Sequence, residues 1–180
     1  MKKILAILAL ATGTAFAGQA TLEYQNINGV DGAADQKAYS LTVKESINKN
    51  FAGDVQFTNT QTEGTNALTT RLEAGLTASN TYGIVSPYVR VATGEKFSNT
   101  KQFGYYSIEP GIQMPVGPFT AKVGYRFRDA YDSANNDTTR TARAGLSYAV
   151  TKNDTVGVRY DRVRGDTTTN VWNFNYTRGF

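Results

Sequence analysis

The stretch Asn170–Phe180, NVWNFNYTRGF, decides the fold of this chain. Every second residue, counted back from its end, is an aromatic residue or an arginine: Phe180, Arg178, Tyr176, Phe174 and Trp172. The residues between them are small or polar: Gly179, Thr177, Asn175 and Asn173. A period of two is the side-chain period of a β-strand. A strand with one aromatic and one polar face suits a sheet whose outer side meets lipid and whose inner side meets water.

This stretch resembles the C-terminal strand of bacterial outer-membrane β-barrels, in which a terminal Phe follows alternating aromatic residues. The resemblance implies that the outer-membrane assembly machinery reads four of its side chains as an assembly signal: Trp172, Phe174, Tyr176 and Phe180. Arg178 departs from the pattern, because an apolar residue is commoner at that position. The alternative is a soluble strand that happens to end on Phe.

The N-terminus has the parts of a secretory signal peptide. Lys2 and Lys3 form a basic start, residues 4–11 are apolar, and Ala15-Phe16-Ala17 forms an A-x-A cleavage site. The apolar run is too short to cross a bilayer as a helix, and no cysteine follows it to carry a lipid anchor. We expect residues 1–17 to be cleaved during export, and residues 18–180 to form one domain in the cell outer membrane.

Composition argues against several classes of function. The chain has 19 basic and 15 acidic side chains, without a basic run that would indicate a nucleic-acid partner. It contains no cysteine and no histidine, which removes disulfides, thiolate and imidazole metal sites and His-dependent catalysis. We expect Asp161 to be surrounded by Arg159, Arg162 and Arg164, which favours structural pairing over catalysis. We expect no enzyme, no metal and no cofactor.

The alternation of the last strand recurs along the mature chain. We predict ten strands: 19–27, 37–46, 53–60, 68–78, 84–93, 103–114, 119–128, 141–150, 155–164 and 170–180. The third shows only Val55 and Phe57 as outward apolar residues, and an eight-strand count follows if it and a neighbour are loops. Opposite the apolar face lie Arg, Glu, Thr, Ser and Gly, which are too polar for a dry core.

Apolar-out and polar-in strands can exist in a membrane only when they close on themselves. An open edge would leave backbone N–H and C=O groups unpaired in hydrocarbon. The sequence therefore predicts an all-β fold, a closed antiparallel up-and-down transmembrane β-barrel. Short turns near Lys49, Thr81, Val116 and Asn153 are expected on the periplasmic side with both termini. The polar connections are expected to face outward: residues 28–36, 61–66, 94–102, 132–138 and 165–169.

The inner face is the informative surface for function. Counting alternate positions along each predicted strand, which we call parity, places eight basic side chains there: Lys44, Arg71, Arg90, Lys122, Arg126, Arg128, Arg143 and Arg159. It places four acidic counter-charges there: Glu23, Glu73, Glu109 and Asp161. Charges on the lipid face would cost about 2–4 kcal/mol each at mid-membrane, so these side chains must point inward. The predicted selectivity track consists of Arg90, Lys122, Arg126, Arg128, Arg143 and Arg159, and it is concentrated on the seventh to ninth strands. Lys44 and Arg71 are not part of it.

Two segments, Pro87-Tyr88-Val89-Arg90 and Tyr125-Arg126-Phe127-Arg128, resemble parts of the oligogalacturonate- and sialate-type porins. Those are small monomeric barrels whose lumenal arginines pass acidic oligosaccharides. The resemblance covers about two strands, and those porins have twelve strands, more than this chain can form, so their substrate is not carried over. More broadly, the chain resembles the OmpA-like and porin-like class of small barrels.

Two functions fit these observations. The first is a narrow porin-like channel for passive diffusion of small, preferentially anionic solutes. The alternative is a non-conducting barrel whose Arg and Glu side chains form a salt-bridged plug, and which stabilises the envelope or presents loops such as residues 94–102 to a partner. The expected partners are outer-membrane lipid, the outer-membrane assembly machinery and, for a channel, small anionic solutes.

Overall fold

The computed structural model describes residues 18–30, 32–135 and 137–180. The predicted signal peptide, residues 1–17, lies outside the described residues. The strands are β1 (Gly18–Val30), β2 (Gln36–Ser46), β3 (Phe51–Thr62), β4 (Leu68–Ser79), β5 (Ser86–Ser98), β6 (Gln102–Val116), β7 (Phe119–Ala130), β8 (Thr139–Ala149), β9 (Asp154–Arg164) and β10 (Thr168–Gly179). A single 3-10 turn, Ser133–Asn135, precedes β8 in this part of the chain. No helix among the described residues is long and apolar enough to cross a membrane.

The ten strands form one closed barrel. Each strand pairs antiparallel with its neighbours in sequence, and β1 closes the ring on β10. The closing register runs from Gln19 opposite Gly179 to Val30 opposite Thr168. Closure pairs every strand edge, which is the condition for a sheet in hydrocarbon. The predicted ten-stranded antiparallel barrel is confirmed, and the eight-strand alternative is wrong.

The two ends of the barrel differ in what they carry. Gly18 and Phe180 lie together at one end, where the Phe180 N–H donates to the Gly18 carbonyl at 3.0 Å. The connections after β2, β4, β6 and β8 return at this end, which we call the terminal end. The tightest, after β6, uses Gly117 with a φ of 60°, a backbone region that favours glycine. The other five connections lie at the opposite end, which we call the loop end.

The two faces of the wall have the inverted polarity that the sequence predicts. Leu22, Val91 and Leu146 on the outer face are 47% or more exposed. On the inner face, Glu73 and Glu109 are less than 5% exposed. Apolar residues therefore meet the surroundings and charged residues fill the interior, which is the arrangement of a barrel in lipid.

Aromatic pairs mark both edges of the apolar band. Toward the loop end, the rings of Tyr160 and Trp172 are 5.1 Å apart between centroids. Toward the terminal end, those of Phe119 and Tyr148 are 5.6 Å apart. Aromatic girdles of this kind lie at the two interfaces of a membrane with water.

Several strands are longer than predicted. β1 continues to Val30 and β5 to Ser98, so part of the predicted outer connection 28–36 and most of the connection 94–102 are strand. The weak third strand is a full strand of 12 residues, Phe51–Thr62. Apolar residues alternate only along the part of a strand that meets lipid. The backbone hydrogen bonds between strands continue beyond that part. Within residues 94–102, only residues 99–101 lie outside the strands.

Inner-face glycines make room for large lumenal side chains. A Cβ at Gly111 would lie 2.5 Å from the Val123 carbonyl oxygen and would overlap the Tyr88 ring. We expect Gly111→Ala to lower the free energy of unfolding by about 1–3 kcal/mol, because the backbone must shift. Gly53 is the matched control, since its nearest neighbour, the Ile47 side chain, is 3.8 Å away. Urea unfolding of the two refolded variants would show this, and equal midpoints would contradict it.

Candidate functional site in the barrel lumen

The inner faces of the ten described strands carry nine basic side chains and five acidic ones. The basic ones are Lys44, Arg71, Arg90, Lys96, Lys122, Arg126, Arg128, Arg143 and Arg159. The acidic ones are Glu23, Asp54, Glu73, Glu109 and Asp161. Two loop carboxylates, Asp137 and Asp166, also line the interior. The lumen therefore holds more positive than negative charge.

One group of ion pairs joins three strands through Arg90. Its guanidinium donates to Asp54 on β3 at 2.5 and 3.0 Å and to Glu73 on β4 at 2.7 Å. The other carboxylate oxygen of Glu73 accepts from Arg126 on β7. Gly75 leaves the space for the Arg90 guanidinium, since a Cβ there would lie 2.5 Å from Nη2. Glu73 thus links β5 and β7, and its bond to Arg126 spans the lumen.

A second group of ion pairs joins four more strands. Arg143 on β8 donates to Glu109 on β6 at 2.5 Å, and its Nε lies 3.7 Å from Asp161 on β9. Arg159 on β9 donates to Asp161 at 2.8 Å and contacts Glu23 on β1 at 3.0 Å. These contacts form a chain of alternating charge around the wall.

We call the two groups together the ion-pair belt. Its members are Glu23, Asp54, Glu73, Arg90, Glu109, Arg126, Arg143, Arg159 and Asp161. Five carboxylates face four guanidinium groups, so the belt as a whole is nearly neutral. Its side chains are less than 30% exposed, and paired charges at such depth satisfy each other. The belt narrows the lumen without supplying the positive surplus.

A cavity of about 390 Å³ lies between the belt and the loop end, and we call it the vestibule. Its wall includes six basic side chains, Arg71, Lys96, Arg126, Arg128, Arg143 and Arg159, and four acidic ones, Glu73, Asp137, Asp161 and Asp166. Most of its remaining lining is threonine and glutamine. The vestibule is therefore polar and positively charged.

Several guanidinium groups of the vestibule keep unused donor capacity. The buried Nε atoms of Arg126, Arg128 and Arg143 have no hydrogen-bond acceptor among the described residues. Arg128 and Lys96 share one carboxylate, Asp137, at 2.9 and 3.0 Å. N–H groups in this arrangement suit carboxylate or phosphate oxygens, which accept from guanidinium groups.

Three lumenal cations have no ion-pair partner within residues 18–30, 32–135 and 137–180. They are Arg71, which lines the vestibule, and Lys44 and Lys122, toward the terminal end. The ammonium group of Lys122 lies 4.3 Å from the centre of the Tyr88 ring, whose hydroxyl donates to Glu109 at 3.1 Å. The unpaired positive charge therefore flanks the belt on both sides.

All the lumenal residues predicted from parity lie on the inner face. The structure adds a feature that parity does not contain: Arg90, Arg126, Arg128, Arg143 and Arg159 are each paired with carboxylates. The predicted track is therefore largely neutralised where it crosses the belt, and of its members only Lys122 has no ion-pair partner among the described residues.

Sequence reasoning missed four charged residues of the lumen, one of which is Asp166 in the connection before β10. Asp54 follows the same parity as Gln56 and Thr58, and it was overlooked because β3 has few apolar residues. Lys96 belongs to a stretch predicted as loop. Asp137 lies in the connection before β8, where no periodicity signals direction. Arg162 and Arg164, expected beside Asp161, are exposed and point to the outer face, since they differ from it in parity.

The predicted assembly-signal residues lie together on the outside of β10. Trp172, Phe174, Tyr176 and Phe180 are 39% or more exposed. Three of these aromatic side chains lie on β10, the strand that closes the barrel, and Phe180 directly follows it. Their recognition by assembly machinery stays a prediction.

A closed barrel with an apolar outside, aromatic edges and a charged, polar lumen defines the class of outer-membrane β-barrel proteins. The Gram-negative porin family matches residues 6–168 of this chain, and the chain belongs to that family. It is accordingly a protein of the outer membrane.

Solved structures with the same fold include outer-membrane channels and porins. The COG4313 outer membrane channel from Pseudomonas putida F1 is 10% identical, with a TM-score of 0.55, covering 94% of this chain and 97% of that one. The NanC porin is 8% identical, with a TM-score of 0.52 over 87% and 98% of the chains. The KdgM porin is 13% identical, with a TM-score of 0.50 over 90% and 99%. At these identities the likeness is one of fold. No curated protein sequence matches the chain.

Proposed function

We propose that this porin is a narrow, passive channel that prefers small anionic solutes. The observation that carries the proposal is the positive surplus of the lumen, with six basic against four acidic side chains around the vestibule. A lumen lined by one sign of excess charge concentrates ions of the opposite sign. The family and the channel-like neighbours support the transport class, and no energy source is part of the proposal.

In this proposal the loop end faces the outside and an anion enters the vestibule first. Arg71, Lys96 and Arg128 attract it there, and the spare guanidinium N–H groups replace part of its hydration shell. The ion-pair belt is the constriction that sets size. Beyond it, Lys122 and Lys44 keep the potential positive toward the terminal end. In this proposal the paired arginines of the belt narrow the path, and the basic side chains on either side of the belt select anions. The sequence alone had assigned anion selection to the arginine track.

The proposal includes no catalytic role, cofactor or metal. The chain has neither His nor Cys, and the described residues contain no group of three or more acidic side chains placed to hold a metal ion. The proposed partners are outer-membrane lipid, the assembly machinery that would read the aromatic residues of β10, and small anionic solutes.

Single-channel recording in a planar bilayer under a salt gradient tests the proposal. Wild type should give steady openings with an anion-selective reversal potential. We expect Arg71→Gln with Lys122→Gln to lower the anion-to-cation permeability ratio about fourfold. One unit charge about 8 Å from an ion contributes ~0.5 kcal/mol in water and ~0.2 kcal/mol after screening at 0.15 M salt, and each charge acts with opposite sign on an anion and a cation. Neither residue has an ion-pair partner among the described residues, so the belt should stay intact.

The matched control is Arg140→Gln with Arg162→Gln, two charge removals on the outside of the wall, where both side chains are exposed. This control should keep the wild-type reversal potential. A cation-selective wild type, or an equal change in both double variants, would overturn the assignment of selectivity to the lumen.

A non-conducting barrel is the second candidate, and the cross-lumen bond between Arg126 and Glu73 favours it. In that case the belt is a plug that stabilises the wall, and the protein acts through its stability or its surface. A silent, heat-stable wild-type barrel in the bilayer experiment would support this candidate and overturn the channel.

A further inference from the structure

Three arginines form a basic patch on the outside of the barrel. Arg140 on β8 and Arg162 and Arg164 on β9 follow the outward parity, and all three are exposed. Arg140 lies directly opposite Arg164 in the register. Arg162, two residues before Arg164 on the same face of β9, lies opposite Ala142 on β8 and Asn170 on β10. We call these three residues the outer arginine patch.

The register makes the patch electrostatically unfavourable without an anion. Like charges directly opposite each other on adjacent strands are destabilising, since their Cβ atoms are only about 5 Å apart. Small neighbours such as Ala142 leave the guanidinium groups free to converge. An anion held between them would turn this repulsion into a set of charge-assisted hydrogen bonds.

No carboxylate of the described residues neutralises the patch: its three guanidinium groups form no ion pair in that part of the structure. Asp129 on the outer face of β7 instead accepts from the Ala130 N–H at 2.9 Å and the Thr138 hydroxyl at 2.8 Å. Asp166, the nearest acidic residue in the chain to Arg164, lines the vestibule on the other side of the wall.

The position of the patch identifies the level of the membrane that it meets. Tyr160 and Trp172 form the aromatic pair at the edge of the apolar band. The next outward-facing residues toward the loop end are Arg162 and its cross-strand neighbour Asn170. The side chains beyond an aromatic girdle are at the depth of lipid headgroups. The patch is confined to β8 and β9, whereas the outer loop-end charges of β5 and β7 are the acidic residues Glu95 and Asp129.

We infer that the outer arginine patch binds the phosphate group of an outer-leaflet lipid, seated between Arg140, Arg162 and Arg164 with its acyl chains along the apolar face of β8 and β9. Guanidinium groups match phosphate oxygens in bidentate geometry. In a Gram-negative outer membrane the phosphorylated lipid of the outer leaflet is a glycolipid, lipid A. The inference rests on the outward orientation of the loop end proposed above and not on ion selectivity.

Titration of the refolded barrel in neutral detergent micelles with bisphosphorylated lipid A tests the site, with bound lipid counted by native mass spectrometry. We expect Arg140→Gln with Arg162→Gln and Arg164→Gln to weaken binding at least about tenfold, since each arginine near an anionic lipid surface contributes severalfold. Arg→Lys at the three positions should retain part of the affinity, because charge persists while bidentate bonding is lost.

The matched control removes three exposed charges at the terminal end, Lys49→Gln, Lys152→Gln and Arg178→Gln, and should bind lipid A as wild type does. Equal binding of dephosphorylated lipid A, or equal loss in both triple variants, would overturn the inference. Displacement of lipid A by millimolar inorganic phosphate would assign the patch to free phosphate instead and also overturn it. Bilayer conductance does not enter this readout, so failure here leaves the channel proposal untouched.

Discussion

Glu73→Gln should lower the free energy of unfolding by about 3 kcal/mol or more, the cost of leaving buried charges without their partner. Glu73 is 3% exposed and holds Arg90 and Arg126 with its two oxygens. The amide keeps the shape but loses the charge, and Arg126 is then left without an ion-pair partner among the described residues. Arg90 retains Asp54, so the loss falls mainly on Arg126.

Urea unfolding of the refolded barrel in micelles would measure this effect. Trp172 is the only tryptophan of the chain and is 45% exposed on the outer face, so its fluorescence reports departure from the apolar surroundings. Glu63→Gln is the matched control: Glu63 pairs with Lys37 at 2.7 Å, but both side chains are about half exposed. Exposed pairs contribute little, so the control should unfold like wild type. Equal midpoints for the two variants would show that the belt does not stabilise the barrel.

Removing the cross-lumen pair as a unit should have the largest effect on conductance. Glu73→Ser with Arg126→Ser deletes the two side chains that bridge β4 and β7 and leaves the net charge unchanged. We expect single-channel conductance to rise at least about twofold, because the diameter of the constriction limits ion flow. The double variant should also be more stable than Glu73→Gln, since no unpaired guanidinium stays behind at position 126.

Lys37→Ser with Glu63→Ser is the charge-balanced control for this experiment, because that pair lies at the loop end with both side chains about half exposed. Its conductance should equal that of wild type. If the lumenal double variant conducts as wild type does, the belt is not the constriction. If wild type is silent and the variant conducts, the belt is a plug, and the non-conducting alternative is supported.

Alternation in the sequence predicted the barrel because the direction of a side chain in a strand depends only on parity. Trp172, Phe174 and Tyr176 established the outward face of β10, and inward Arg, Glu and Gly residues ruled out a dry core. Strand ends were predicted less well, as at β5, whose last residues up to Ser98 lie beyond the apolar band and carry no apolar period. Backbone pairing there depends on the neighbouring strands and not on contact with lipid.

The sequence by itself determined the class of fold, the two faces of its wall and the identity of most charged residues in the lumen. Only the tertiary structure decided which charges meet. Arg90 lies opposite Glu109 in the register, yet its ion-pair partners are Asp54 and Glu73. Arg126 finds Glu73 three strands away. Parity is a local property of the backbone, whereas partners across a lumen are set by the number of strands, their stagger and the width of the closed ring.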